Sequence, residues 1–174
     1  MIGRRCVDDH WPEQVWRIDW EFPRQRLFSP MNIRRLLLLD FLPRSTDAGL
    51  LVLRLWLGLS LVGLHGWSKL VGYSGMSGKF PDPLGIGSPA SLGLAILAEV
   101  VCSILIVLGL CTRLAAAVLV INMATAFLMV HKLALTGQGS GELAFIYLGC
   151  WVTLFVAGAG RFSFDAKLGR TDVK

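Results

Sequence analysis

Four long apolar runs dominate the pattern of hydrophobic and polar positions along this chain. They cover residues 48–71, 91–110, 112–132 and 142–160. Each run is about 20 residues long, the length that a helix needs to cross the hydrocarbon core of a bilayer. The first run shows no strand-like alternation, and a backbone in lipid must satisfy its own hydrogen bonds. The pattern therefore predicts four transmembrane helices.

The connections between the runs predict how the helices are arranged. Residues 72–90 contain five glycines and three prolines and are expected to form a loop. Only Cys111 separates the second run from the third, and the short segment 133–141 ends in the flexible sequence TGQGSG. Such short connections favour antiparallel neighbours, so we predict an all-α, integral membrane, up-down four-helix bundle.

The distribution of basic residues predicts the orientation. Lysine and arginine are enriched in cytoplasmic loops near the ends of membrane helices. The side that carries both termini and the second connection has eight of them: Arg34, Arg35, Arg44, Arg113, Arg161, Lys167, Arg170 and Lys174. The opposite, outer side has three: Lys69, Lys79 and Lys132. Both termini are therefore expected in the cytoplasm.

Composition supports the membrane interpretation and excludes other classes. Of the 174 residues 54% are hydrophobic and only 17% are charged, against about 25% charged residues in typical soluble domains. The mean hydropathy of +0.60 excludes a disordered chain, and four cysteines are too few for a disulfide scaffold. A very apolar soluble core is the less favoured alternative. The net charge of +5 suits anionic lipid better than nucleic acid, because the basic residues flank the apolar runs.

Residues 1–47 differ from the rest of the chain. They hold eight arginines, three tryptophans and no lysine, and they lack a sustained apolar period. Residues 31–42 are interpreted as an interfacial segment. Met31 would also make a natural start, and residues 1–30 are expected to be an extension upstream of it. The predicted domains are this extension (1–47), a membrane domain (48–169) and a cytoplasmic tail (170–174).

Ionisable residues within the spans need an explanation, because each costs about 2.5–3.5 kcal/mol at the centre of a membrane helix. In the first span Arg54, Gly58, Leu61, His65 and Lys69 follow one another at steps of three or four and form one stripe. This stripe is expected to face the bundle interior. Gly58 would allow a neighbouring helix to approach closely.

The predicted topology brings polar residues from all four spans together in the outer half of the bundle. These residues are His65, Lys69, Glu99, His131 and Glu142, with Asn122 near the centre of the third span. We interpret them as a polar pocket that binds a quinone headgroup or relays protons, because the pKa values of histidine and carboxylate groups can be tuned near neutrality. Alternatively, Glu99 pairs with Lys69 or His65 only to fix the helix register, and the residues near helix ends extend to the interface. Arg54, nearer the cytoplasm, would anchor helix packing or offset Glu99.

The cysteines and histidines give little support for other redox chemistry. Cys102 and Cys111 lie nine residues apart, about 13 Å along a helix, and cannot form a disulfide within it. Buried cysteines more often pack as small hydrophobic side chains. We predict no metal site, and His65 and His131 are weak candidates for haem ligands. Motifs for phosphate binding, nucleophilic catalysis and zinc are absent from the sequence.

Several short motifs resemble the DoxX family, in order, over residues 47–169. The first helix carries LRL at 53–55, Gly58 and HGWSKL at 65–70. The second helix and hairpin carry Glu99, LGL at 108–110 and TRLA at 112–115. The fourth helix carries GELA at 141–144, YL at 147–148 and the closing GAGRFSFD at 158–165.

The resemblance implies a four-helix protein of the bacterial inner membrane with an oxidoreductase role. Members include a small subunit of a terminal quinol oxidase and subunits that act in thiosulfate:quinone oxidoreduction, and others are linked to thiol balance. We therefore expect a component of a quinone-linked oxidoreductase, tied to sulfur or thiol redox balance, with quinone as a non-covalent cofactor. A protein partner in a redox complex would supply the electrons. The alternative function is a non-catalytic scaffold that holds a soluble redox enzyme at the lipid bilayer, and a small transporter is less favoured.

Overall fold

The structure, a computed structural model, describes Leu37, Leu39 and residues 45–169. The chain divides into two units, Met1–Pro43 and Arg44–Lys174, and everything below concerns the second. The predictions for residues 1–36, 38 and 40–44 and for the tail from 170 to 174 lie outside the described residues. The described part of the second unit is helical, without a strand. Its helices are α1 (Thr46–Val71), α2 (Tyr73–Met76), α3 (Ser88–Leu108), α4 (Thr112–Val130), α5 (Glu142–Ala157) and α6 (Phe164–Leu168).

Three of these helices are long and apolar enough to cross a membrane. They are α1 with 26 residues, α3 with 21 and α4 with 19. The fourth apolar run forms a helix of 16 residues, shorter than its run predicts. It ends at Ala157 because Gly158 turns the backbone to a φ of 79°, in the region that favours glycine. The backbone beyond is held to α1, since the Arg161 N–H donates to the Asp47 carboxylate at 2.8 Å.

Each of the three long helices contains a wide π-helical turn. The π-helical segments are Val62–Gly66 in α1, Leu97–Cys102 in α3 and Ala126–Val130 at the end of α4. The segments in α1 and α4 lie in the half of the helix nearer the connections 72–87 and 131–141, which we call the loop end of the molecule, and the segment in α3 lies at the middle of that helix. Single π-helical turns occur frequently at functional sites, because the extra residue changes where the following side chains point.

Helices α3 and α4 meet in the tight hairpin that the sequence predicts. Gly109 and Cys111 both have a positive φ, which ends α3 and reverses the chain. The carboxylate of Asp165 accepts hydrogen bonds from the N–H groups of Cys111 and Thr112, at 2.7 and 2.9 Å. This carboxylate satisfies otherwise unpaired donors at the start of α4 and suits the positive end of the helix dipole. We call this end of the molecule the hairpin end.

The core lies where the four apolar helices meet. Leu61, Ile106, Leu119, Trp151 and Leu154 are almost completely buried in it. Small residues of α4, Ala115 and Ala116, are buried as well and bring α4 close to α5. Exposed leucine, valine and phenylalanine side chains cover the outward faces of these helices. Helices that are apolar on all sides, with a packed inner face, are typical of proteins surrounded by lipid.

Candidate functional site

Two glycines on α1 bring it into close contact with α3. A Cβ atom on Gly58 would lie 2.6 Å from Val107 Cγ2 and 3.0 Å from the carbonyl oxygen of Ser103. A Cβ on Gly66 would lie 3.0 Å from the carbonyl oxygen of Glu99. Only glycine leaves room for this separation, so the two helices touch through backbone as well as side chains.

The π-helical turn in α1 shifts the buried stripe by one residue. Arg54, Gly58 and Leu61 are buried as the helical period predicts, but the next buried residue is Gly66. His65 is consequently half-buried, beside the helix contact and not within it. The wide turn therefore places the His65 ring at the edge of a cavity, where its nitrogens remain available.

The ion pair between Lys69 and Glu99 is the centre of the site. The Lys69 Nζ atom contacts both carboxylate oxygens of Glu99, and its distance to Oε2 is 2.6 Å. The Glu99 side chain is 6% exposed and that of Lys69 21% exposed. Asn122 on α4 reaches the same carboxylate, with its Nδ2 atom 3.5 Å from Oε1. A buried carboxylate is costly without such partners, and here a cation and an amide supply them.

A first cavity of about 350 Å³ opens between α3 and α4 and ends at this ion pair. Its walls are mostly apolar, with Leu94, Leu97 and Ile121 at its exposed side. It is also lined by four residues of the connection after α2, namely Phe80, Pro81, Pro83 and Leu84. Lys69, Glu99, Asn122 and His131 are the ionisable or amide groups that line it. Many ligand sites combine this volume, an apolar lining and a few polar groups at one end.

A second cavity of about 310 Å³ lies on the other side of the same ion pair. It is lined by residues of α1, α3, α4, α5 and the connection before α5, among them His65, Ser140, Ala144 and Tyr147. Lys69, Glu99, Ala126 and His131 line both cavities. The ion pair is therefore part of a wall that the two cavities share.

His131 and Glu142 occupy different environments at the loop end. His131 follows the last turn of α4, and its Nδ1 atom lies 2.7 Å from the carbonyl oxygen of Gly139. It lines both cavities together with Lys69 and Glu99. Glu142 begins α5 with an exposed side chain and lines neither cavity. The structure thus brings His65, Lys69, Glu99, Asn122 and His131 together and leaves Glu142 outside.

Arg54 is fully buried at the hairpin end, far from Glu99 along the helices. Its guanidinium donates to the carbonyl oxygens of Ile106, at 3.3 Å, and Phe162, at 2.5 Å. Its Nε atom has no partner among the described residues. A side chain on Gly109 would collide with this guanidinium. The sequence suggests that Arg54 either anchors helix packing or offsets Glu99. In the structure its guanidinium contacts backbone of α3 and of the segment before α6, not the Glu99 carboxylate.

Tyr147 also lines the second cavity, although in the sequence it stands out only as part of the YL motif at 147–148. It is one of two tyrosines in the chain, and its hydroxyl lies 2.7 Å from Ser60 Oγ. Its ring meets that of His65 edge to face at 6.3 Å and stacks on Trp151 at 6.0 Å. A tyrosine within an apolar run is the sequence signal that could have identified it as a site residue. A buried tyrosine hydroxyl needs a hydrogen-bond partner, so its neighbours are expected to be polar. The π-helical turns have no comparable signal.

Asp82 organises the connection that lines the first cavity. Its carboxylate accepts hydrogen bonds from Ser91 Oγ at 2.7 Å, from the Gly87 N–H at 2.8 Å and from the Ile86 N–H at 3.1 Å. The bond from Ser91, followed by those from the backbone, lowers the pKa of Asp82 below its ordinary value of 3.8. The start of α3 and the loop that lines the cavity are therefore held to one another.

Other candidate chemistry finds little support in the described residues. Cys102, Cys111 and Cys150 are free thiols. Residues 45–169 contain no group of three or more histidine, cysteine, aspartate or glutamate side chains that could hold a metal ion. The two cavities are lined by one carboxylate, one ammonium group, two imidazoles and neutral hydrogen-bonding side chains.

The helices and the buried ion pair define a helical membrane protein, and comparison with known proteins gives its family. The sequence profile of the DoxX family matches residues 49–132. An uncharacterized protein of Haemophilus influenzae is 34% identical over 116 residues, which cover 60% of this chain and 79% of that protein. No solved structure is significantly similar. The chain belongs to the DoxX family of membrane proteins.

Proposed function

We propose that this protein is the membrane component of a quinone-linked oxidoreductase system. The observation that carries the proposal is the first cavity, which combines an apolar groove between α3 and α4 with the Lys69–Glu99 pair at its end. A quinone has an apolar ring and tail and two carbonyl oxygens. The groove suits the tail, while Lys69 and Asn122 offer hydrogen-bond donors to a carbonyl oxygen and Glu99 offers an acceptor to a hydroxyl.

The proposed membrane arrangement follows from the helices and the basic residues. Helices α1, α3, α4 and α5 would form an up-down four-helix bundle that spans the bacterial inner membrane, with both termini in the cytoplasm. The loop end would then face outward. Leu94, Leu97 and Ile121, which are about half-exposed or more, would contact lipid and leave the groove open to molecules dissolved in the bilayer.

A quinone bound there would accept or give up electrons, and this chain would position it and handle protons at Glu99. Electrons would come from a protein partner in a redox complex, tied in this proposal to sulfur or thiol balance. Lys69 stays beside the carboxylate and holds it at the end of the groove. The ion pair therefore gives a bound ring a donor and an acceptor at one position.

Direct binding tests this proposal. The purified protein in detergent is titrated with short-chain ubiquinone and menaquinone analogues by calorimetry. We expect Glu99→Gln and Ala95→Leu to weaken binding by about tenfold or more, which corresponds to about 1.4 kcal/mol. Ala95 is buried and lines only the first cavity, so leucine would fill the groove without touching the ion pair.

The control is Thr153→Val on α5, an exposed position whose hydroxyl donates only to its own helix at Gly149, 2.9 Å away. It should bind the analogues like the wild type. Equal binding by wild type, Glu99→Gln and Ala95→Leu would overturn the proposal. If the protein binds no quinone but copurifies with a soluble oxidoreductase from native membranes, the scaffold function is the correct one.

A further inference from the structure

The second cavity is lined both by the buried Glu99 carboxylate and by residues at the loop end. Besides the Lys69–Glu99 pair, its lining includes His131 and Ser140 of the connection before α5 and Leu143 in the first turn of α5. Leu143 is 48% exposed, and Ser140 lies in the connection that precedes α5. The cavity therefore extends from a side chain that is almost completely buried to residues that reach the outside of the molecule.

The polar groups along this cavity suit water. Each buried water needs two to four polar partners and about 10–15 Å³ of accessible volume, so about 310 Å³ holds several. The hydroxyl pair of Tyr147 and Ser60 lies on one side. The His65 ring meets the Tyr147 ring edge to face and has no hydrogen bond to a described residue. Its nitrogens are therefore free to bond to water.

The groups around Glu99 come from every helix packed against it. Lys69 and His65 belong to α1, Asn122 to α4 and Tyr147 to α5, while His131 follows α4. Lys69 and Asn122 hold the carboxylate in place. His65, Tyr147 and His131 line the second cavity without a recorded bond to Glu99, at positions where intervening water could link them to it.

We propose that the second cavity is a hydrated proton path between Glu99 and the solution at the loop end. In this step a carboxylate oxygen of Glu99 accepts a proton from a donor in the first cavity. The O–H bond forms on Glu99 as the bond between the proton and its donor breaks. The neutral acid then returns that proton to water in the second cavity. No electron moves along this path. Ligand and proton thus reach the same carboxylate from opposite sides.

This inference rests on the proposed function for the identity of the proton donor, but its test needs no ligand. Glu99 is followed by infrared difference spectroscopy after a rapid drop in pH, with Glu99→Gln used to assign the carboxylic acid band. The matched variants are Ala144→Leu, which fills the second cavity only, and Ala95→Leu, which fills the first only. Both alanines are buried, with exposures of 9% and 7%.

We expect Ala144→Leu to slow protonation of Glu99 by about tenfold or more, a rise of about 1.4 kcal/mol in the barrier. Ala95→Leu should change that rate less than about twofold. Equal rates in all three proteins, or slowing by Ala95→Leu alone, would overturn the proton path. Failure of quinone analogues to bind would overturn the proposed function and leave these rates unchanged, so the two failures are distinguishable.

A second measurement covers the case in which Ala144→Leu does not fold. Ala144→Cys and Ala95→Cys are made in a chain whose native cysteines are replaced by serine or alanine. A charged, membrane-impermeant thiol reagent should modify Cys at 144 in vesicles whose loop end faces the reagent, and should leave Cys at 95 unmodified. Absence of reaction at 144 in a folded protein would also overturn the proposal.

Discussion

Arg54 and Lys69 both carry a positive charge into the interior of the molecule from the same helix, but their surroundings differ. They lie about 22 Å apart along α1. Arg54 is completely buried, donates to two backbone carbonyl oxygens and lines neither of the two cavities described above. Lys69 pairs with a carboxylate that faces two cavities.

The two charges differ in what their desolvated groups contact. Both charges carry the same kind of desolvation cost. The Arg54 guanidinium donates hydrogen bonds that join α1 to the end of α3 and to the chain before α6. Around Lys69 the ion pair leaves oxygen and nitrogen atoms next to open space, where a ligand or water can bind. Adjoining space, more than burial, distinguishes the Lys69–Glu99 pair from Arg54.

Removing the Arg54 side chain should have the largest effect on stability. Arg54→Ala leaves the carbonyl oxygens of Ile106 and Phe162 without these donors and opens a cavity. We expect the free energy of unfolding in detergent to fall by about 3–5 kcal/mol. The control is Arg113→Ala, an exposed residue that donates to the Val156 carbonyl oxygen at 3.2 Å, with an expected loss below about 1 kcal/mol. Equal losses would mean that Arg54 has no special structural role.

Separating the Lys69–Glu99 pair should have a smaller effect on stability. Lys69→Met leaves a buried carboxylate without its cation, and we expect a loss of about 1–3 kcal/mol. The double variant Lys69→Met/Glu99→Gln should lose less than the sum of the single losses, because the second change removes the unpaired charge. A double-mutant cycle measured by denaturant unfolding checks this. Strict additivity would show that the pair is not coupled and would weaken the comparison with Arg54.

The helix contact that brings Lys69 to Glu99 can be tested at Gly66. Gly66→Ala places a methyl group against the Val100 side chain and the Glu99 carbonyl oxygen, so we expect a loss of about 1–3 kcal/mol in the free energy of unfolding. Gly63→Ala lies in the same π-helical turn with no atom within 4 Å of the added group. That variant should be neutral or stabilise by up to about 1 kcal/mol. If the two variants behave alike, the close approach at Gly66 does not hold the site together.

The smallest effect on stability is expected from protonation of Asp82 in acid. Because its pKa is lowered in the folded loop, its contribution to stability is fully present above its ordinary pKa of 3.8. The contribution is lost as the pH falls through the lowered value. Protection of the Ile86 and Gly87 amides from hydrogen exchange, corrected for the intrinsic rates, should therefore fall below pH 3.8.

The matched change is Ser91→Ala, which removes the bond with the largest effect on the pKa of Asp82. It should move the midpoint of the transition toward higher pH, while Asp82→Asn should abolish the transition. A midpoint that Ser91→Ala leaves unchanged would contradict the assigned cause. Binding in the first cavity should respond only weakly, because Asp82 holds the loop and does not itself line the cavity.

The sequence by itself determined the helical class, the membrane character and the family. Hydrophobic runs of span length, few charges and the motifs around His65, Glu99 and Arg161 are properties of the chain alone. The helical period also predicted which side of α1 packs inward, because Arg54, Gly58 and Leu61 recur at steps of three or four. The profile match confirmed the resemblance to the DoxX family.

Only the tertiary structure decided how the polar residues divide. The π-helical turns depend on competition between backbone hydrogen-bonding patterns within packed helices, and no residue type signals them. They place His65 beside the contact at Gly66, and the close approach of α1 and α3 pairs Lys69 with Glu99. The structure also added Tyr147 and left Glu142 exposed. A list of polar residues in one half of a bundle predicts that they are neighbours, but packing alone decides on which side of a buried ion pair each of them lies.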